Sequence, residues 1–170
     1  QELQNDPMGD ERYLFDMENA GYCTLMPEGI RRADGSFVPW LDVLEFAAFF
    51  DPALGRGKDC ACCVVVARDR SGFEYVLDAY VSNMDSPDDQ DEAIVDMLWR
   101  WQCDLLGVES NSYQSLLPRN IREAMARREK EERQSLGLKI IPVTHTRNKM
   151  LRIKTLEPLV SNSWLAFSRN

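Results

Sequence analysis

The sequence predicts an α/β fold on one mixed sheet, three antiparallel strands followed by alternating helices and strands. Apolar runs at 44–50, 60–67 and 73–81 are separated only by the glycine-bearing stretches LGRGKD and RDRSG, and connections that short imply an antiparallel meander. The next segment, DSPDDQDEAIVDMLWRWQCDLLG, changes to helical spacing. Beyond it, short apolar runs and helical patterns take turns to the last residues.

Residues 1–42 read as a lead-in. QELQNDPMGDERYLFD is followed by Pro27, Gly29, Gly35 and Pro39 with no sustained periodicity, apart from a helical turn around Glu11 to Phe15. Tyr13, Leu14, Phe15, Tyr22, Leu25 and Trp40 make it too apolar for a free linker, so it is expected to pack on something. The folded domain then runs from 43 to 170. Its three strands are rich in aromatic and β-branched residues, as FAAFF, CACCVVVA and FEYVLDAYV show. Ser86 or Asp88 is positioned to cap the following helix, whose positive end is crowded with acids. Ala93, Ile94, Met97, Leu98, Trp101 and Leu105 make one apolar face that covers the sheet.

Leu106 to Glu109 is a short strand. SNSYQSLLPRNIREAMARREKEERQSLG reads as helix, broken at Pro118 and ended by Gly137. LKIIPVTHT is a strand, NKMLRIKTLEPLV a helix stopped near Pro158, and SWLAFS a last strand. This order matches a ribonuclease-H-like mixed sheet better than a doubly wound parallel one.

At 170 residues, 44% apolar and 28% charged, the chain is long enough for one domain with its own core. The formal charge of -8 argues against a nucleic-acid partner until its distribution is considered. Asp69 to Asp104 holds ten acids against Arg70 and Arg100, whereas Arg119 to Lys154 holds eleven lysines and arginines against four glutamates. One stretch repels phosphate and the other attracts it. Cys23, Cys60, Cys62, Cys63 and Cys103 lack C-x-x-C spacing and read as small buried hydrophobes in a reducing compartment. No run reaches the ~18 apolar residues of a membrane span, and no signal-peptide pattern opens the chain, so a soluble intracellular protein is expected.

The candidate chemistry lies at strand ends. Hydrolysis of a phosphodiester by two metal ions needs carboxylates from different strands converging on ions ~3.5 to 4 Å apart. Asp51 ends the first strand of the meander and Glu109 ends the fourth, and in a sheet of this order those strands are neighbours. Magnesium or manganese suits such oxygen ligands, and paired carboxylates repel each other until a cation arrives. Each acid also has a plainer reading, Asp51 as the start of an Asp-Pro turn and Glu109 as a solvated helix opening. Asp59, closing the glycine turn, is a further candidate. Asp78 interrupts an apolar strand and is expected on its solvent face, since an unpaired buried carboxylate is costly.

GRGK resembles the end of a phosphate loop, but Pro52 stands at the leading glycine and Asp59 follows Lys58, so the pattern fails. The lone His145 shows no triad pattern. Arg127 to Arg133, interleaved with glutamates, fits a solvated helix surface. Arg147, Lys149, Arg152 and Lys154 are less diluted and are the candidate phosphate contacts.

DPALGRGKDCACCVVVARDRSGFEYVLDAY, GVESNSYQ and NKMLRIKTLEPLVSNSWLAF, in that order and spacing, resemble the C-terminal nuclease domain of the large terminase subunit of tailed bacteriophages and their prophages. QELQNDP resembles the segment joining that subunit's ATPase to its nuclease, so the likeness covers nearly the whole chain. It implies a ribonuclease-H-like endonuclease that cuts concatemeric double-stranded viral DNA with two magnesium or manganese ions in the bacterial host cytoplasm. Asp51 matches the family's first-strand metal ligand, Glu109 its second acid, and Asp59 an extra acid of some members. Lys149 and Arg152 match positions that the family tends to fill with basic residues. The partners implied are double-stranded DNA, the terminase ATPase domain, the small terminase subunit and the portal. The family's third metal-binding aspartate follows the last strand, whereas Glu157 is the last carboxylate here. The expectation is therefore a divalent-metal-dependent DNA endonuclease domain lacking its C-terminal end, with a metal site one ligand short in the sequence as it stands. The alternatives are a catalytically incomplete prophage remnant and a docking module for portal or terminase partners.

Overall fold

The computed structural model describes residues 20–52, 60–83, 85–109, 117–144 and 149–169. In chain order their elements are β1 (Gly21–Met26), β2 (Gly29–Arg32), β3 (Phe37–Pro39), a 3-10 turn (Trp40–Asp42), β4 (Val43–Asp51), β5 (Ala61–Asp69) and β6 (Glu74–Ser82). There follow α1 (Pro87–Arg100), β7 (Leu105–Glu109), α2 (Leu117–Glu132), β8 (Lys139–Val143), α3 (Lys149–Lys154), α4 (Glu157–Ser161) and β9 (Leu165–Ser168). The strands form one mixed sheet in the order β3-β2-β1-β9-β6-β5-β4-β7-β8.

β4, β5 and β6 form the expected meander, with Phe50 opposite Cys63 and Cys63 opposite Tyr80. Period two is plain in β5, where Ala61, Cys63, Val65, Ala67 and Asp69 are buried on one face. β7 adds parallel to β4, and β8 adds parallel to β7. At the β4–β7 seam, a Cβ on Gly107 would meet Cδ2 of Phe49 at 2.8 Å, so glycine leaves room there for the ring.

Ser86 caps α1 with a full capping box: its hydroxyl accepts from Asp89 N–H, and the Asp89 side chain accepts from Ser86 N–H. Ile94, Val95, Met97 and Leu98 of α1 and Ile121, Ala124 and Met125 of α2 are buried in the main core. Arg127 pairs with Glu92 and Arg128 with Asp96, at 3.4 and 3.2 Å. These ties ascend together along both helices, so α1 and α2 run parallel.

Several expectations are corrected. Residues 20–42 are not irregular: β1 pairs parallel with β9, and β2 and β3 extend the sheet beyond it. These strands of 3 to 6 residues are too short to show a period, and the neighbour that holds them comes from the far end of the chain. Pro118 does not break a helix. It lies in the first turn of α2, where no N–H partner is required, and Pro158 likewise opens α4 instead of stopping a helix. α2 ends at Glu132, with Arg133 left-handed at φ 54°, and Gly137 at φ 69° shapes the loop beyond it. The cysteine expectation holds for Cys23, Cys63 and Cys103, which are buried, whereas Cys60 is exposed and Cys62 half-buried. Burial pushes the thiols of Cys63 and Cys103 up to about 12, so both stay protonated.

Candidate active site

β4 and β7 run parallel, and Phe50 stands opposite Val108 on them. Asp51 and Glu109 are the next residues, each the last of its strand. Because side chains alternate along a strand and Phe50 and Val108 are fully buried, both acids share the other face. Parallel neighbours lie ~4.8 Å apart, which brings the two acids to one edge of the sheet. Asp51 is half-buried, and the Glu109 side chain is 12% exposed.

α3 contributes the nearest cation. The Arg152 Nη2 is 3.9 Å from the Glu109 Oε1, an ionic contact longer than a hydrogen bond. The Arg152 Nε is buried with no acceptor. The guanidinium thus offsets the carboxylate yet retains an unused N–H. The Thr155 hydroxyl donates to the Arg152 carbonyl at 2.6 Å and holds the end of this short helix. Lys154 is exposed.

Asp78 and the basic residues of α2 do not join this edge. Asp59, Arg147 and His145 lie outside the described residues, as does the side chain of Lys149, which opens α3. Asp78 is not a solvated acid. It accepts from the Trp101 indole N–H at 2.8 Å and from Arg100 at 3.2 Å, tying β6 to the end of α1. A register shift between Val65 and Val66 lies beside it. The basic residues of α2 are largely spent on neighbours, Arg119 on Glu123, Arg127 on Glu92 and Arg128 on Asp96 and Glu132. Among the described residues, no three of His, Cys, Asp or Glu come together closely enough to hold a metal ion.

Two contacts escaped the sequence reading. The approach of Arg152 to Glu109 joins residues 43 positions apart and has no local signal. Asp69 was noticed only as a charge, yet it is 3% exposed and central to a network with Arg32 and Tyr75. Part of that was legible, since an aspartate followed by Ser71 two residues on is a side-chain turn, here with Ser71 N–H donating at 2.8 Å.

The family model for the ribonuclease-H-like domain of the bacteriophage T7 terminase matches residues 50–165. No curated protein matches. Among solved structures, the large terminase nuclease of thermophilic phage G20c with bound magnesium is similar at 12% identity and TM-score 0.48, covering 94% of this chain and 76% of that one. The HK97 bacteriophage large terminase is similar at 10% and 0.47, covering 72% and 29%. T. thermophilus RuvC in complex with a Holliday junction substrate is similar at 13% and 0.39, covering 59% and 65%. The chain thus spans less than two thirds of the last two proteins.

Proposed function

Because the chain belongs to the ribonuclease-H-like family of the bacteriophage T7 terminase, matched over residues 50–165, we propose that it is the metal-dependent endonuclease domain of a phage DNA-packaging terminase, cleaving concatemeric double-stranded DNA. The observation that carries this reading is the level ending of β4 and β7, with Asp51 and Glu109 side by side on one face.

The donors fit a hard divalent cation. Two carboxylates on adjacent parallel strands offer oxygen ligands only. We assign Asp51 and Glu109 as ligands of magnesium or manganese, with Asp59 as the further acid that would let the edge take two ions. Bound there, the metal supplies an activated water and charge stabilisation for the leaving oxygen. Arg152 balances Glu109, and the exposed part of its guanidinium faces a phosphate oxygen. Arg147, Lys149 and Lys154 flank Arg152 in sequence and complete a basic approach to the DNA backbone. In this reading residues 1–42 are the connector from an ATPase domain. The small terminase subunit and the portal are the remaining partners, in the bacterial host cytoplasm.

The test is calorimetric titration of the chain with manganese, alongside manganese-stimulated nicking of supercoiled plasmid by the chain extended beyond Asn170 with the family's third aspartate. Nicking and binding heat are expected in the wild type and lost in Asp51→Ala and Glu109→Ala; undiminished cutting by either variant overturns the assignment. A second reading, a docking module without catalysis, is favoured by the exposed apolar side chains of Phe37, Leu41 and Leu44, spaced four and three residues apart. Absence of any manganese binding would select it.

A further inference from the structure

The N-terminal halves of α1 and α2 enclose a cleft of about 190 Å³ lined by Asp88, Asp91, Glu92, Asn120, Glu123 and Arg127, with Ala124 at its base. Asp91 is 6% exposed, and its Oδ1 has no hydrogen-bond partner. It lies two residues beyond the capping box, past the free N–H groups that favour acids at the start of a helix. A buried carboxylate oxygen left unpaired is costly, and the cleft is much larger than the one water that it would need.

The neighbouring charges show which kind of ligand is missing. Glu92 is paired with Arg127 at 3.4 Å and Glu123 with Arg119 at 2.8 Å. Asp88 and Asp91 have no ion pair among the described residues. Their position calls for a cation with several N–H donors, and the spread of the carboxylates along two helices does not converge three of them on a point ion. We propose that this cleft binds an alkylammonium ion, with Asp91 as the buried acceptor and Asp88 as the acceptor at the rim.

An ammonium group on an alkyl stem matches the composition of the cleft, since its N–H donors meet the carboxylates while the stem lies along Ala124. Burial, then the negative charge of Asp88, push the Asp91 carboxyl up to about 6, opposed by Arg127 and by a hydrogen bond from Asn120. It is therefore mostly ionised at pH 7.5 and mostly neutral at pH 5. With Asp88 and Glu92 facing it from α1, and Asn120, Glu123 and Arg127 from α2, no further group among the described residues supplies the missing positive charge. The site shares no residue with Asp51 and Glu109 and stands or falls independently of the nuclease reading.

Calorimetry of the full chain at pH 7.5 with putrescine, and separately with N-acetyl-lysine methylamide, tests the proposal. Saturable binding by at least one probe is expected, weakened roughly 10-fold or more in Asp91→Asn, the worth of one charge-assisted hydrogen bond. Asp88→Asn should weaken it by a smaller factor, pH 5 should weaken it in the wild type, and Asp51→Asn should leave it unchanged. Preference for putrescine identifies a free polyamine as the occupant, and preference for the lysine probe a lysine side chain of a partner. Failure of both probes to saturate overturns the proposal, as does equal binding by wild type, Asp91→Asn and Asp88→Asn, each verified as folded by its melting transition.

Discussion

Asp51 closes β4 and Asp69 closes β5, at opposite ends of one hairpin ladder, and the two ends use their carboxylates differently. Asp69 Oδ1 accepts from Ser71 N–H at 2.8 Å, the Ser71 hydroxyl at 2.6 Å and Phe73 N–H at 3.1 Å. Its Oδ2 accepts from the Tyr75 hydroxyl at 2.7 Å and from Arg32 at 2.5 Å. The Arg32 guanidinium also lies 4.4 Å over the Phe73 ring. Burial by itself would raise the Asp69 carboxyl, but the Ser71 and Tyr75 hydroxyls and the backbone N–H groups of Phe73 and Ser71 hold it below its ordinary value. The Tyr75 hydroxyl is pushed up in turn, first by burial and then by its bond to Asp69. At the other end two carboxylates stand next to each other, and the basic neighbour of Glu109 is 3.9 Å away. A carboxylate whose own chain fills its acceptor sites holds the fold together. A pair brought side by side from two strands can present oxygens to one cation from outside.

The contrast can be broken by substitution, and the largest effect is expected at the saturated end. Asp69→Ala leaves the Arg32 charge and the Tyr75 hydroxyl without their acceptor, at an expected cost of about 3 kcal/mol in urea unfolding. A loss under about 1 kcal/mol would show that the network is not structural. The pH dependence has a definite sign. A carboxyl held below its unfolded value, about 3.9, contributes stability that is complete above that pH and is lost as pH falls through the folded value. Wild type should therefore weaken below about pH 4 more steeply than Asp69→Asn.

A smaller loss is expected from Gly107→Ala. The added methyl meets the Phe49 ring at the β4–β7 seam, and overpacking of this kind costs about 1 to 3 kcal/mol. If the seam sets the spacing of the two acids, manganese affinity falls as well; unchanged affinity would separate the two. The smallest effect on stability belongs to the acids themselves. Asp51→Asn and Glu109→Gln each relieve repulsion between like charges and should unfold within about 1 kcal/mol of wild type, on either side. A loss comparable to that of Asp69→Ala would make them structural acids after all.

Much of the scaffold of this site was legible in the chain. FAAFFD showed both the strand and the acid that ends it, and SPDDQDEAI showed the Ser86 cap, because alternation and capping are written in consecutive residues. Pro118 and Pro158 were misread for a related reason. Proline opens a helix as readily as it ends one, and which it does depends on the residues around it. Asp78 was misplaced because the indole that satisfies it is 23 residues away.

The sequence by itself determined the meander, the apolar face of α1, and the placing of Asp51 and Glu109 at the ends of neighbouring strands. Each depends on the local period of side chains or on short connections. Only the tertiary structure decided that residues 20–42 become strands, since β1 needs the edge offered by β9. It also decided which acids a distant base reaches. Arg32 reaches Asp69 across 37 positions and Arg152 reaches Glu109 across 43, whereas no base pairs with Asp91 among the described residues. The charge of a carboxylate is written at its own position, but the dielectric and the donors around it are supplied by chain segments that only folding brings near.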